Sequence, residues 1–103
     1  MLVRIVRMEF QPEKVNNFLS FFKKNRPKIL AFEGCRAVNL YKDHDLANVY
    51  FTISDWDNAA ALENYRKSAF FERTWSKTKV LFAGKPLAYS LSDSDGSSSP
   101  ILM

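Results

Sequence analysis

The chain has 103 residues, 47% apolar and 15% aromatic, with a formal charge of +4. That length suits one domain with a single core, and the aromatic content argues against a disordered body. One cysteine, Cys35, excludes an intrachain disulfide and a cysteine-based metal site, and fits a reducing, cytoplasmic setting. No apolar run approaches a membrane span, and "MLVRIVRMEF" is too short and too charged for a signal peptide.

Residues 2–10 alternate, with Val3 and Ile5 on one face and Leu2, Val6, Met8 and Phe10 mostly on the other. This period predicts a strand covered on both sides. Gln11-Pro12 opens a helix. Val15, Phe18, Leu19 and Phe22 form its apolar stripe. Pro27 predicts a break near Asn25–Arg26, followed by a short helical piece with Ile29, Leu30 and Phe32 that Gly34 closes. "KKNRPK", 23–28, is the densest cationic stretch. It suits a solvated helix end, and no nucleic-acid recognition motif accompanies it.

Residues 35–43 and 48–54 read as two strands joined by a hairpin-type turn at "HDLA". Asp57 is the expected cap of a helix rich in Ala59, Ala60, Ala61 and Leu62. A further helix is predicted from Ser68 to Phe82, with Phe71, Trp75, Thr78 and Phe82 on one face. Such a stripe is more often core than a ligand wall. Gly84-Lys85-Pro86 breaks the helix, and residues 87–91 form a last strand. Residues 92–103 are rich in Ser and Asp and read as a flexible tail after a domain spanning 1–91. The tail holds two Asp and no Lys or Arg, so the domain itself carries +6.

The order βαββαβ is the ferredoxin-like arrangement of the α+β class, an antiparallel sheet with helices on one face. Because the strands are apolar on both faces, a second copy of the sheet is the expected cover for the other, giving a homodimer.

"ISDWDNAAALENYRKSAFFERTW", 53–75, resembles the antibiotic biosynthesis monooxygenase (ABM) family. Trp56, Tyr65, Ser68 and Phe71 stand where that family's pattern has Trp, an aromatic, Ser and Phe. "FEGC", 32–35, resembles its glycine-containing approach to the second strand. The resemblance implies small dimers whose sheets join in a dimeric α+β barrel. It also implies one of two chemistries: oxygenation of phenols or quinols without metal or flavin, or haem breakdown.

For the first chemistry the family pattern implies a Trp, kept as Trp56. It also implies an Asn where this chain has Thr52 and a Tyr where it has Leu62. For the second it implies an aromatic, here Tyr65, and an axial histidine where Trp75 stands. Tryptophan cannot ligate iron. An Asn expected near position 6 is Val6, and the only histidine, His44, falls in the predicted hairpin.

The resulting expectation is a cofactor-independent monooxygenase acting with O2 on a phenolic or quinol aromatic compound. Trp56, Tyr65, Thr52 and Asn39 are its candidate catalytic residues. Phe71, Trp75 and Leu62 are the candidate substrate wall, with no cofactor-binding or metal residues, no nucleic-acid partner and no membrane association. The alternative is a non-catalytic dimeric barrel that binds a small ligand.

Overall fold

The computed structural model describes residues 1–93. Four strands, β1 (Leu2–Glu9), β2 (Cys35–Lys42), β3 (Val49–Trp56) and β4 (Leu87–Ser92), form one antiparallel sheet in the order β2-β3-β1-β4. Three helices cover one face: α1 (Val15–Leu30), α2 (Ala59–Arg66) and α3 (Ala69–Lys79). The fold is ferredoxin-like α+β. Of the expected tail, residues from 94 on lie outside the described residues.

Three local expectations are corrected. Helix α1 runs unbroken through Pro27. Proline disfavours helical geometry at the residue before it, but here that residue, Arg26, is anchored: its Nε donates to the Val38 carbonyl at 2.7 Å. Asn25, one position earlier, is buried and donates to the Phe21 carbonyl at 2.8 Å. The Arg26 bond ties the end of the helix to β2, and the Asn25 bond braces the turn before it.

The cap of α2 is Asn58, not Asp57: Asn58 Oδ1 accepts from the Ala61 amide at 2.9 Å. Asp57 instead makes an exposed two-pronged ion pair with Arg36, at 2.6 and 2.9 Å. Finally, α3 stops at Lys79 rather than Phe82. The backbone beyond is claimed by the end of β1, where the Gln11 amide donates to the Leu81 carbonyl and Phe10 bridges to Phe82.

Side-chain alternation divides the sheet. Toward the helices point Arg4, Val6 and Met8 of β1, Val38 of β2, and Thr52, Ser54 and Trp56 of β3, all of which line the space beneath the helices. The odd-numbered residues of β1 and their partners in register, Ile5 with Ile53 and Tyr89, form the other face. On that face Tyr41, Leu87, Tyr89 and Leu91 are exposed large apolar side chains.

Two aromatic clusters support the helices. The first joins β1 to α1: Phe10 stacks on Phe18 with centroids 4.1 Å apart, and Tyr50 and Phe82 pack beside them. The second joins β3 to α2 and α3 around Tyr65, which stacks on Trp56 at 5.2 Å and meets Phe32 and Phe71 edge-on at 5.0 and 5.1 Å. Trp75, stacked on Phe71 at 5.9 Å, reaches Phe82 and so touches both clusters.

Candidate functional site

Between the two clusters the helix layer does not close. A half-enclosed cavity of about 330 Å³ lies between α1, the α2–α3 pair and the sheet. Small-molecule sites run from roughly 300 to 1,000 Å³, so this one suits a single compact ligand. Its floor comes from β1 and β3, with Val6, Thr52 and Trp56, and α1 contributes Phe18 and Phe22. The far wall is Leu62, Tyr65, Phe71 and Trp75.

Six of the seven candidate residues therefore meet at one cavity: Trp56, Leu62, Tyr65, Thr52, Phe71 and Trp75. Asn39 does not. Its neighbours Val38 and Leu40 both turn toward the helices, and strand alternation sends Asn39 to the opposite face, where it is exposed beside Ile53. It is removed from the set that can touch a ligand in this cavity.

Local sequence explains the wall. Ser68 joins the two short helices: its hydroxyl accepts from the Phe71 amide at 3.0 Å and donates to the Tyr65 carbonyl at 2.6 Å. That fixes Tyr65, at the end of α2, against Phe71, at the start of α3. Thr74 and Thr78 also line the cavity, but their hydroxyls bond back to carbonyls of their own helix. They present methyl groups rather than free donors.

Trp56 is fully buried, and its Nε1 donates to Ser54 Oγ at 3.0 Å. Its indole N–H is thus committed, and the ring, covered by Tyr65, supports the cavity from beneath rather than offering it an open face. By contrast, neither the Thr52 nor the Tyr65 hydroxyl has a hydrogen-bond partner among the described residues. No buried side-chain polar atom there is left unpaired, so both hydroxyls keep some accessible surface, on two residues that line the cavity. Burial, with a smaller contribution from Cys35, holds the Tyr65 phenol well above the ordinary tyrosine range. Tyr65 is accordingly a neutral donor throughout physiological pH.

Among the residues lining the cavity there is no Asp, Glu or His. His44 sits in the β2–β3 turn, its side chain 99% exposed and its Nδ1 3.0 Å from Asp45. Cys35 is half-buried; desolvation raises its thiol pKa, which argues against a nucleophilic role. No group of three or more His, Cys, Asp or Glu able to hold a metal occurs among the described residues. Neither of the two charged residues of the lining, Arg4 and Arg66, was among the candidates. Arg4 was legible: it shares the period-two face of Val6 and Met8, where a charge is unusual.

Comparison with known proteins agrees with this architecture. The family model for antibiotic biosynthesis monooxygenases matches residues 1–76. The chain belongs to the antibiotic biosynthesis monooxygenase family. A solved antibiotic biosynthesis monooxygenase superposes with a TM-score of 0.83 at 19% identity, over 90% of this chain and 98% of the other. A Mycobacterium tuberculosis protein matches with a TM-score of 0.84 at 18% identity, covering 95% and 98% of the two chains. A conserved protein from Methanosarcina mazei Go1 gives 0.82 at 18% identity, covering 88% and 91%. At these identities the likeness establishes the shared ABM fold. No curated protein matches this sequence.

Proposed function

We propose that this ABM-family protein is a cofactor-independent monooxygenase acting on a phenolic or quinol aromatic compound. The observation that carries the reading is the pairing, in one cavity, of a flat aromatic enclosure with the two unpartnered hydroxyls of Thr52 and Tyr65. Half-buried rings at Phe71 and Trp75, braced by Trp56 beneath, suit a planar ligand. The hydroxyls suit an oxygen substituent on it, and Tyr65, kept protonated, donates to that oxygen as it gains negative charge.

For an anthrone-type substrate, the ring methylene and one O2 give a ring carbonyl and one water. The methylene loses a proton to solvent and the resulting electron-rich anion is oxidised by O2. One oxygen atom forms the new carbonyl; the other leaves as water, taking up the two hydrogens that the methylene gave up. In this scheme the protein orients the ring, stabilises the anion and limits water around it. Purified protein supplied with an anthrone or a quinol should take up oxygen faster than buffer. Tyr65→Phe should lower kcat by on the order of 10²-fold, the usual effect of removing one donor to a developing oxyanion, with the melting temperature retained. Equal rates in wild type and variant would remove Tyr65 from the scheme.

The absence of a carboxylate or imidazole from the lining favours a second reading, a ligand-binding barrel without turnover. Saturable binding of the same compounds with no oxygen uptake would select it.

The functional unit we propose is a homodimer joined through the open sheet face, in the cytoplasm, where the unpaired Cys35 fits. Ile5, Phe51 and Ile53 lie across the centre of that face, with Tyr41, Leu87, Tyr89 and Leu91 exposed around them. So many large apolar side chains on one face, interrupted by Arg7 and Asn39, are unusual on a monomer. Ile53→Asp should convert a sedimenting dimer to monomer at micromolar concentration. A wild-type chain that sediments as a monomer would contradict the assembly.

A further inference from the structure

Apart from a few neutral polar groups, the cavity lining is apolar except at one side. There its charged lining residues are Arg4, half-buried on β1, and Arg66, exposed at the end of α2. Arg4 Nη1 donates to Ser90 Oγ on β4 at 2.9 Å, and no carboxylate lies in an ion pair with it among the described residues. Arg66 reaches Glu63 at 3.4 Å, a long and exposed contact one turn back on α2. Glu63 does not line the cavity. Two guanidinium groups and one carboxylate leave this side with a net positive charge, directed at a pocket with no acidic lining.

A partly buried cation is normally paired. The only hydrogen-bond partner of Arg4 among the described residues is a neutral hydroxyl, and the like charge of Arg66 opposes it. Desolvation first, and then Arg66, hold its pKa below the usual arginine range, while Glu63 acts in the other direction. An anion placed between the two guanidinium groups would relieve both. The planar, multi-donor guanidinium is suited to a carboxylate or another flat oxyanion.

We propose that Arg4 and Arg66 form an anion subsite, so that the cavity selects aromatic ligands carrying a negative charge, with the ring against Phe71 and Trp75. The inference rests on the reading above in taking this cavity as the ligand site, and does not require turnover. It also supplies what the lining lacks. With no general base available, a site that favours the anionic form of its ligand lowers the cost of losing the proton to solvent.

The test is equilibrium binding of 2-naphthoate against its neutral counterpart 2-naphthamide, by calorimetry at low salt. The acid should bind at least about ten-fold more tightly, and 0.5 M salt should shrink that margin as it screens exposed charge. Arg4→Gln should remove most of the preference and Arg66→Gln part of it. Naphthamide affinity should stay the same in both variants, which shows that the cavity is still formed. Equal affinities for acid and amide in wild type would overturn the proposal, as would a preference that survives in the double variant, or a failure of both compounds to bind. An intact acid preference without oxygen uptake would uphold the subsite while sinking the oxygenase. Oxygen uptake with no acid preference would do the reverse.

Discussion

Trp56→Ala should destabilise the protein by about 3–5 kcal/mol, the usual range for truncating a buried aromatic. Trp56 is 0% exposed, stacks on Tyr65 and gives its indole N–H to buried Ser54. Removal would therefore cost packing, an aromatic contact and a hydrogen bond, and would leave the Ser54 hydroxyl needing a new partner. The vacated volume would merge with the neighbouring cavity, so water could enter. Trp75 is the internal control. It lines the same cavity but is half-buried and outside the buried core. Trp75→Ala should cost clearly less than Trp56→Ala in chemical denaturation. A reversed order would mean that the wall on α3, not the floor on β3, carries the fold.

Gly34→Ala should be the other severe substitution. Gly34 has φ +82°, a region that costs roughly 1–2 kcal/mol for a residue with a Cβ. An added Cβ would also meet Ala61 Cβ at 2.5 Å. Overpacking of that kind typically costs about 1–3 kcal/mol more. The position is hard to relax, because the Gly34 carbonyl accepts from the Asp57 amide at 2.8 Å and the Arg36–Asp57 pair closes the same corner. Displacing Ala61 means displacing α2, which carries Leu62 and Tyr65 into the cavity. Ala61→Gly removes the methyl that is struck, at a helix-propensity cost of about 1 kcal/mol. In that background Gly34→Ala should cost only the backbone strain. Strictly additive effects in denaturant melts would show that the clash is absorbed elsewhere.

Much of this site can be read from spacing. Leu62 and Tyr65 are three residues apart on α2, and Phe71 and Trp75 four apart on α3, so each pair shares a helix face. The stripe on α3 reads as core, and in part it is: it walls an opening that α1 approaches from the other side without closing. That gap depends on how far α1 stands from the α2–α3 pair on the same face of the sheet, which no periodicity in one element encodes. Asn39 shows the opposite case. Its displacement to the far face follows from Val38 and Leu40 alone, since residues on either side of it in a strand share the face it lacks. Pro27 and Arg66 were illegible for one reason. A tether from Arg26 to β2 and a cation at the cavity both depend on which element lies across from them.

Oxygen stoichiometry with an anthrone in the wild-type protein tests the central claim most directly. Oxygen consumed and carbonyl product formed would be followed together. The expected result is enzyme-dependent uptake of one O2 for each carbonyl formed, with the rate saturating in substrate. Saturable binding without uptake above buffer would contradict the claim, and would leave the aromatic cavity as a binding site alone.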